Sequence, residues 1–208
     1  MRALFTNPDR FFAELMPEPG ILYPAGVVLL VGIVRALGSL PALQQTVAAL
    51  PEEASAFGSI AYVTGLVGAF VGIVVVWLLY AGAFHVISGI LYDTDGEFRD
   101  TLAVTGWGFV PAIFAAVVSA VVAFVVFSNA TLPEFNDPAQ VQMWVQEVRN
   151  RPEFLVSNAL GILFLLWQGF LWAFGVKHAR GLSLREAGVT VALPVAVALL
   201  FRLSGMVL

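Results

Sequence analysis

Five long stretches of the chain consist almost entirely of apolar residues, and short polar segments separate them. They cover residues 21–40, 58–90, 101–128, 154–176 and 187–207. A helix needs about 20 predominantly apolar residues to cross roughly 30 Å of hydrocarbon. The pattern therefore predicts an all-α, polytopic membrane protein: residues 1–208 form a single domain, a bundle of five transmembrane helices.

The second stretch is longer than a bilayer requires. Helical residues rise about 1.5 Å each, so residues 58–90 exceed the thickness of the hydrocarbon. This length predicts a long, tilted or protruding helix, and a re-entrant hairpin is the alternative. His85 is the only side chain in it that titrates near neutral pH.

Two shorter segments have the pattern of amphipathic helices. Asn7 with Pro8, and Asp137 with Pro138, each provide a capping residue followed by proline at the first helical position. Apolar residues at helical spacing follow: Phe11, Phe12 and Leu15 in the first segment, and Val141, Trp144, Val145 and Val148 in the second. We expect short helices that either lie flat in the headgroup region or pack on the bundle.

Composition supports the membrane assignment. Of the 208 residues, 60% are hydrophobic and 12% charged, and the mean hydropathy is +0.90. Soluble domains carry about 25% charged residues. The net charge of −4 argues against nucleic acid, which requires a basic surface. The acidic balance, with Lys177 as the single lysine, resembles that of a halophilic archaeon.

The distribution of basic residues predicts the orientation. With five spans, one side holds Arg2, Arg10, Arg99, Lys177, Arg180 and Arg185. The other side holds Arg149 and Arg151, joined by Arg35 and Arg202 if these two snorkel outward. Basic residues favour the cytoplasmic side, so we expect a multi-pass cell-membrane protein with a cytoplasmic N-terminus and an exterior C-terminus.

An acidic loop, residues 91–100, follows the second stretch and holds Asp93, Asp95, Glu97 and Asp100. An EF-hand requires glycine at position 6 and glutamate at position 12, and the loop provides neither. Turn chemistry explains it better, with Asp95 and Gly96 in the turn and Asp100 or Thr101 capping the next helix.

The predicted topology places a basic segment on the same side as the acidic loop. Its residues are Lys177, Arg180 and Arg185. Opposite charges on neighbouring loops predict either pairing between the loops or a polar platform for a membrane or cytoplasmic protein partner.

Few residues suggest chemistry inside the bundle. His85 and His178 lack a third ligand for zinc, and no nucleophile–base set is present, so we expect neither a metal, a cofactor nor an enzyme. A hydrogen-bonded His85 between helices is the simpler interpretation. His85, Asn158 and Gln168 would nevertheless line the polar path of a small-solute or ion transporter or channel.

Glycines on the second span indicate close helix packing. Gly65, Gly68 and Gly72 lie near one another, and Gly68 and Gly72 have the G-x-x-x-G spacing. They predict packing within the bundle or association into a homo-oligomer.

The start of the third span, "DGEFRDTLAVTGWGFVPAIF", carries a recognisable motif. Gly106, Trp107 and Pro111 in it resemble the Gly-Tyr-x-x-x-Pro region of the Yip family, the Ypt- or Rab-interacting membrane proteins and their prokaryotic relatives. The segments "NPDRFFAEL", "FHVISGIL" and "LWAFGVKHARGLSLREA" agree with this resemblance. It implies five helices, a cytoplasmic N-terminus and a scaffold that recruits or organises partners.

The chain also departs from the eukaryotic branch of that family. Trp107 replaces the usual tyrosine, and only about twenty residues precede the first span, without an Asp-Leu-Tyr-Gly-Pro motif. Binding of Rab-type GTPases is therefore not carried over. The sequence predicts a non-enzymatic membrane scaffold or adaptor that recruits partners at its cytoplasmic face, with a small transporter or channel as the alternative.

Overall fold

The computed structural model describes residues 2–48, 55–130 and 138–207, and Asp137 of the predicted second cap lies outside these ranges. Within them the chain is helical and contains no strand. The helices are α1 (Arg2–Thr6), α2 (Pro8–Leu15), α3 (Leu22–Ala48), α4 (Ser55–Tyr92), α5 (Phe98–Trp107), α6 (Val110–Ser128), α7 (Pro138–Arg149), α8 (Pro152–Ala179) and α9 (Leu184–Val207).

Five helices in the described ranges are long and apolar enough to cross a membrane. The segments are Leu22–Ala48, Tyr62–Tyr92, Val110–Ser128, Pro152–Ala179 and Leu184–Ser204. Large apolar side chains cover their outer surface, including Leu79, Phe124 and Phe201, which are 65%, 63% and 75% exposed. In water such a surface would be strongly unfavourable, so it faces lipid. The prediction of an all-α, five-span membrane protein is confirmed.

The alternating direction of the spans gives the bundle two distinct ends. We call the end that carries α2, residues 93–97 and residues 180–183 the loop face. The opposite face carries the C-terminal end of α3, α7 and the start of α8.

The second span is one continuous helix rather than a hairpin. Helix α4 has 38 residues, which corresponds to roughly 57 Å at 1.5 Å per residue. It is therefore longer than the hydrocarbon thickness, as the length of the apolar stretch predicts.

The third apolar stretch differs from the single helix expected over residues 101–128. It forms α5 and α6, separated by a turn at Gly108 and Phe109, and α6 alone meets the criteria for a span. Pro111 has no N–H to bond to the Trp107 carbonyl, so the helical ladder cannot continue through it. Gly108 leaves room for the ring of Trp172, which a Cβ at position 108 would overlap.

The first span also extends further than expected. Helix α3 ends at Ala48 and contains Pro41, whereas the apolar pattern ends near residue 40. Packing supports the extension, because Ala42 is buried and Gln45 Nε2 donates to the Phe127 carbonyl of α6 at 3.2 Å.

An aromatic cluster forms the centre of the core near the loop face. The Trp172 ring is fully buried, and its centroid lies 4.6 Å from that of Tyr80 and 5.4 Å from those of Phe84 and Phe109. Its Nε1 donates to the Thr105 carbonyl at 2.8 Å. The hydrogen bond gives the ring one orientation and joins α8 to α5.

Both short amphipathic helices are present and pack on the bundle. The Asn7 side chain accepts from the Arg10 N–H at 3.1 Å, as the predicted cap requires, and Phe12 is fully buried. In α7 the predicted stripe faces inward, with Val141 and Val148 each 1% exposed. The Trp144 ring centroid lies 6.2 Å from that of Phe127. Burial of these side chains favours packing on the bundle over a helix held by lipid alone.

Candidate functional site

The turn between α8 and α9 positions the central residue of the loop face, Arg180. Gly181 follows it with φ +62°, a left-handed conformation that favours glycine. The Leu182 N–H donates to the Lys177 carbonyl at 2.9 Å and the Arg180 N–H to the Val176 carbonyl at 2.9 Å. These bonds end the helix in a Schellman-type motif, which turns the chain and directs Arg180 inward, where it is only 5% exposed.

The Arg180 guanidinium fastens the acidic loop to the bundle. Its Nε donates to Ser88 Oγ at 2.9 Å, its Nη2 to the Thr94 carbonyl at 2.8 Å, and its Nη1 to the Gly96 carbonyl. Burial lowers the pKa of Arg180, and the charge of Asp95 partly opposes this shift. An arginine stays protonated under these conditions, so it serves as a permanently charged donor to the loop backbone.

Gly96 is required by this close contact. A Cβ at position 96 would overlap the Ala179 carbonyl and lie 3.0 Å from Arg180 Nη1. The positive φ of the loop, 49°, belongs instead to Asp93. Gly96, part of the predicted turn dipeptide, thus allows the C-terminal end of α8 to approach the loop closely.

Three carboxylates of the acidic loop are exposed to solvent. Asp93, Asp95 and Glu97 are exposed, whereas Asp100 is half-buried. Burial raises the pKa of Asp100, and the nearby Glu97 charge raises it further. Within the described ranges none of the four takes part in a salt bridge. The expected pairing between the loops therefore takes another form, in which Arg180 binds main-chain carbonyls.

The predicted cap of the third span is also wrong. Helix α5 begins at Phe98 with Glu97 at the N-cap, and no side chain caps it. Asp100 lies in the first turn, and Thr101 Oγ1 donates back to the Glu97 carbonyl at 3.4 Å. The helix begins three residues before the apolar stretch of residues 101–128, shortly after the residues whose carbonyls bind Arg180.

The remaining basic residues of the predicted surface have separate positions. Lys177 Nζ lies 2.5 Å from Asp9 Oδ1, and His178 Nε2 lies 2.7 Å from the same oxygen. Hydrogen bonds from Lys177 and His178 lower the pKa of Asp9 below its ordinary value of 3.8, so this carboxylate is ionised at neutral pH and connects α2 to α8. Arg185 is exposed in the first turn of α9.

The family-motif residues Gly106, Trp107 and Pro111 lie where α5 meets α6 and contact several helices. A Cβ on Gly106 would lie 2.7 Å from Pro24 Cβ of α3. The Trp107 ring contacts Phe11 of α2 edge-on, with centroids 5.3 Å apart. This motif therefore acts in packing, because it allows α2, α3 and α5 to approach one another.

The structure does not bring His85, Asn158 and Gln168 together. His85 Nδ1 lies 3.4 Å from Thr101 Oγ1 near the loop face, and Gln168 Nε2 donates to the Phe164 carbonyl of its own helix at 3.3 Å. Of the three, only Asn158 lines the described cavities of the opposite half. The continuous polar path that a transporter requires is not formed by these side chains.

The glycines of α4 have different surroundings. A Cβ on Gly65 would lie 3.0 Å from Leu43 Cδ2 of α3, so Gly65 belongs to packing within the bundle. Gly68 and Gly72 have no neighbouring atom within 4 Å of such a Cβ. Both are exposed on the outer side of the helix.

Sequence reasoning missed Asp9 and the anchoring role of Arg180. The Arg-Gly pair after a long apolar helix is a C-cap signal and could have located the turn. The position of Asp9 opposite Lys177 depends on α2 folding back onto α8, which no local pattern indicates. Arg35 and Arg202, which count toward the opposite side only if they snorkel outward, line a cavity between helices in that half of the bundle.

These features define a polytopic, all-helical membrane protein in contact with the lipid bilayer. A family model described as the Yip1 domain matches residues 2–205, so the chain belongs to the Yip family, as the motif predicts. It is similar to an uncharacterized protein of Methanocaldococcus jannaschii, with 31% identity over 120 residues that make up 57% of this chain and 84% of that protein. No solved structure matches the chain.

Proposed function

We propose that this protein is a non-enzymatic membrane scaffold that recruits a protein partner at the loop face through Asp93, Asp95 and Glu97. The observation that carries the proposal is the anchoring of the loop by Arg180, whose donors reach Ser88 and the carbonyls of residues 94 and 96. The carboxylates remain in solvent while the backbone is held. A loop ordered in advance binds with a smaller entropic cost.

The chemistry of the acidic loop favours a basic partner at this part of the loop face. Arg180 is buried and Lys177 binds Asp9, so neither is free to recruit an acidic surface. Three exposed carboxylates within five residues complement a cluster of lysine or arginine side chains on another protein, and such complementarity increases the association rate and selectivity.

Orientation and domain organisation complete the proposal. We propose that the loop face is cytoplasmic, because Arg2, Arg10, Arg99 and Arg185 are exposed near it, against Arg149 and Arg151 near the opposite face. Residues 1–208 would form one membrane domain. This is supported by a buried apolar cluster that joins side chains from the N-terminal helices to those of α9, such as Phe12 and Val191.

Affinity capture with cross-linking from native membranes tests recruitment, in the variant Asp93→Asn, Asp95→Asn, Glu97→Gln. We expect the loss of a partner that the unchanged chain captures, because the variant removes three charges and leaves the backbone contacts of Arg180 intact. The partner is identified by mass spectrometry and its contact surface by the cross-linked peptides.

A double variant at the opposite face controls for the loss of negative charge. Glu147→Gln, Glu153→Gln removes two exposed carboxylates remote from the loop face and should leave capture unchanged. Identical partners in all three preparations would contradict recruitment by the acidic loop, and so would equal loss in both variants.

A further inference from the structure

A polar cavity of about 610 Å³ lies between α3, α6, α7 and α8, in the half of the bundle remote from the loop face. A smaller cavity of about 150 Å³ shares Arg35, Ser119 and Asn158 with it and extends to α9. We call the two together the arginine cavity. Their combined size is within the usual range of small-molecule sites.

The charged side chains among the described residues that line the arginine cavity are all arginines. Arg35 and Arg149 line its larger part, and Arg35 and Arg202 line its smaller part. Arg35 and Arg202 thus bring two like charges to the same small space. No acidic side chain is among the described residues that line either part.

The guanidinium of Arg202 retains an unsatisfied donor. Its Nη1 is buried and has no hydrogen-bond partner in the described part of the chain. Cations at membrane depth are costly unless an anion or hydrogen-bond acceptors pair with them. An anion that enters the cavity would supply the acceptor that the described residues do not provide.

Small residues provide the space for these arginines. A Cβ on Gly161 would overlap Arg202 Nη1, so glycine at this position lets the guanidinium lie against α8. Ala116 and Ala123 line the larger part, where bulkier side chains would fill it. Ser119 Oγ and Ser157 Oγ lie 3.1 Å apart and join α6 to α8 at the wall.

We propose that the arginine cavity binds a phosphate-bearing anion, supplied either by the headgroup of an anionic phospholipid or as free inorganic phosphate. The planar guanidinium donates two parallel hydrogen bonds that match phosphate geometry, and basic pockets between transmembrane helices bind anionic headgroups. Arg202 and Arg35 would hold the inner oxygens, and Arg149 would close the mouth. This site is independent of recruitment at the loop face.

Two binding experiments on the purified full chain in neutral detergent distinguish the sources. Native mass spectrometry compares retention of phosphatidylglycerol with that of phosphatidylcholine. Thermal unfolding compares sodium phosphate with sodium chloride at equal ionic strength, since a ligand of the folded state raises the unfolding temperature. We expect preferential retention of phosphatidylglycerol, stabilisation by phosphate, or both.

Matched variants assign the binding to the cavity. Arg35→Gln should weaken it about ten- to a hundredfold, as expected for lost charged hydrogen bonds, and Arg149→Gln about tenfold. Arg35→Lys keeps the charge but loses the planar guanidinium with its two parallel donors, and it should give an intermediate affinity. Arg151→Gln is the control, because Arg151 is an exposed neighbour of Arg149 that does not line the cavity.

The two experiments distinguish a phospholipid headgroup site, a free-anion site and the absence of a site. An arginine-dependent response to phosphatidylglycerol alone identifies a headgroup site, and one to phosphate alone identifies a free-anion site; either supports the proposal. No arginine-dependent response in either experiment overturns it, as does equal weakening by Arg149→Gln and Arg151→Gln. If Arg35→Gln does not fold, the exposed Arg149 and Arg151 pair still decides the question.

Discussion

At the scale of single residues, the conformation of the acidic loop depends more on the buried Arg180 than on the exposed carboxylates. Arg180 donates to one hydroxyl and two carbonyls, and each hydrogen bond from a charged donor contributes about 1.5–3 kcal/mol. Exposed ion pairs, by comparison, contribute about 0–1 kcal/mol. Arg180 thus maintains the loop without the acidic side chains, which the proposed function assigns to recognition.

Replacement of Arg180 tests this division of roles. We expect Arg180→Gln to lower the free energy of unfolding by about 2–4 kcal/mol, because the partly buried carbonyls of Thr94 and Gly96 lose their charged donor. Hydrogen–deuterium exchange should increase in residues 93–97. Both quantities can be measured on the purified chain in detergent.

Arg185→Gln is the matched control for that experiment. Arg185 is exposed and lies on the same connection, so we expect its loss to change stability by no more than about 0.5 kcal/mol. If Arg180→Gln left exchange in residues 93–97 at the level of the control, the anchoring role would be wrong.

The hydrogen-bond partners of Arg180 and Lys177 could not be predicted from the local sequence. The opposite charges of the acidic loop and of the basic segment after the fourth span predict either pairing or a platform for a partner. The two segments are in contact through Arg180. The acceptors are carbonyls for Arg180 and Asp9 for Lys177. Backbone acceptors carry no sequence signal, and the Asp9 contact joins residues far apart in the chain, so neither could be read from the pattern.

At the scale of elements, hydropathy predicts the existence of the spans better than their internal breaks. A membrane imposes a minimum apolar length, which makes five spans visible in the sequence. The break between α5 and α6 lies inside an apolar stretch, so hydropathy does not reveal it. Gly108 and Pro111 are its local signals, and the Trp172 ring that occupies the space beside Gly108 comes from α8.

Helix α4 provides a test of association between copies. Gly68 and Gly72 have open space around them, and their spacing allows two helices to approach closely. We expect Gly68→Leu, Gly72→Leu to keep the fold and weaken dimerisation roughly tenfold, equivalent to about 1.4 kcal/mol. Dimerisation is measured by single-molecule photobleaching in bilayers over a range of protein densities.

Val63→Leu supplies the control for α4. Val63 is 58% exposed on another side of the helix, since successive residues turn by about 100°. Its replacement should leave dimerisation unchanged. A double glycine variant that dimerised like the Val63 control would show that lipid, rather than a second copy, covers this surface.

At the scale of the whole molecule, the two ends of the bundle have different chemistry. The acidic loop presents carboxylates on an anchored backbone at one end, and Arg35, Arg149 and Arg202 line the arginine cavity in the opposite half. These arginines come from α3, α7 and α9, so only the assembled bundle brings them together. Hydropathy predicts the bundle, but it contains no information about which polar residues share a cavity.

Orientation decides which compartment each end meets, and it can be measured directly because the chain contains no cysteine. We expect Arg151→Cys to react with a membrane-impermeant maleimide in intact cells. Glu97→Cys and Arg185→Cys should react only after lysis, because basic residues favour the cytoplasmic side. Full labelling of all three in detergent controls for local accessibility.

The opposite labelling pattern would contradict the cytoplasmic assignment and change the meaning of both proposed sites. With the expected orientation, the acidic loop meets cytoplasmic proteins, and the arginine cavity receives its anion from the outer leaflet or the exterior. With the reverse orientation, the recruited partner would be extracellular, and the cavity would draw on the inner leaflet or on cytoplasmic phosphate. The contacts of Arg180 and the walls of the arginine cavity are the same in either case, so the labelling experiment tests topology without depending on either binding proposal.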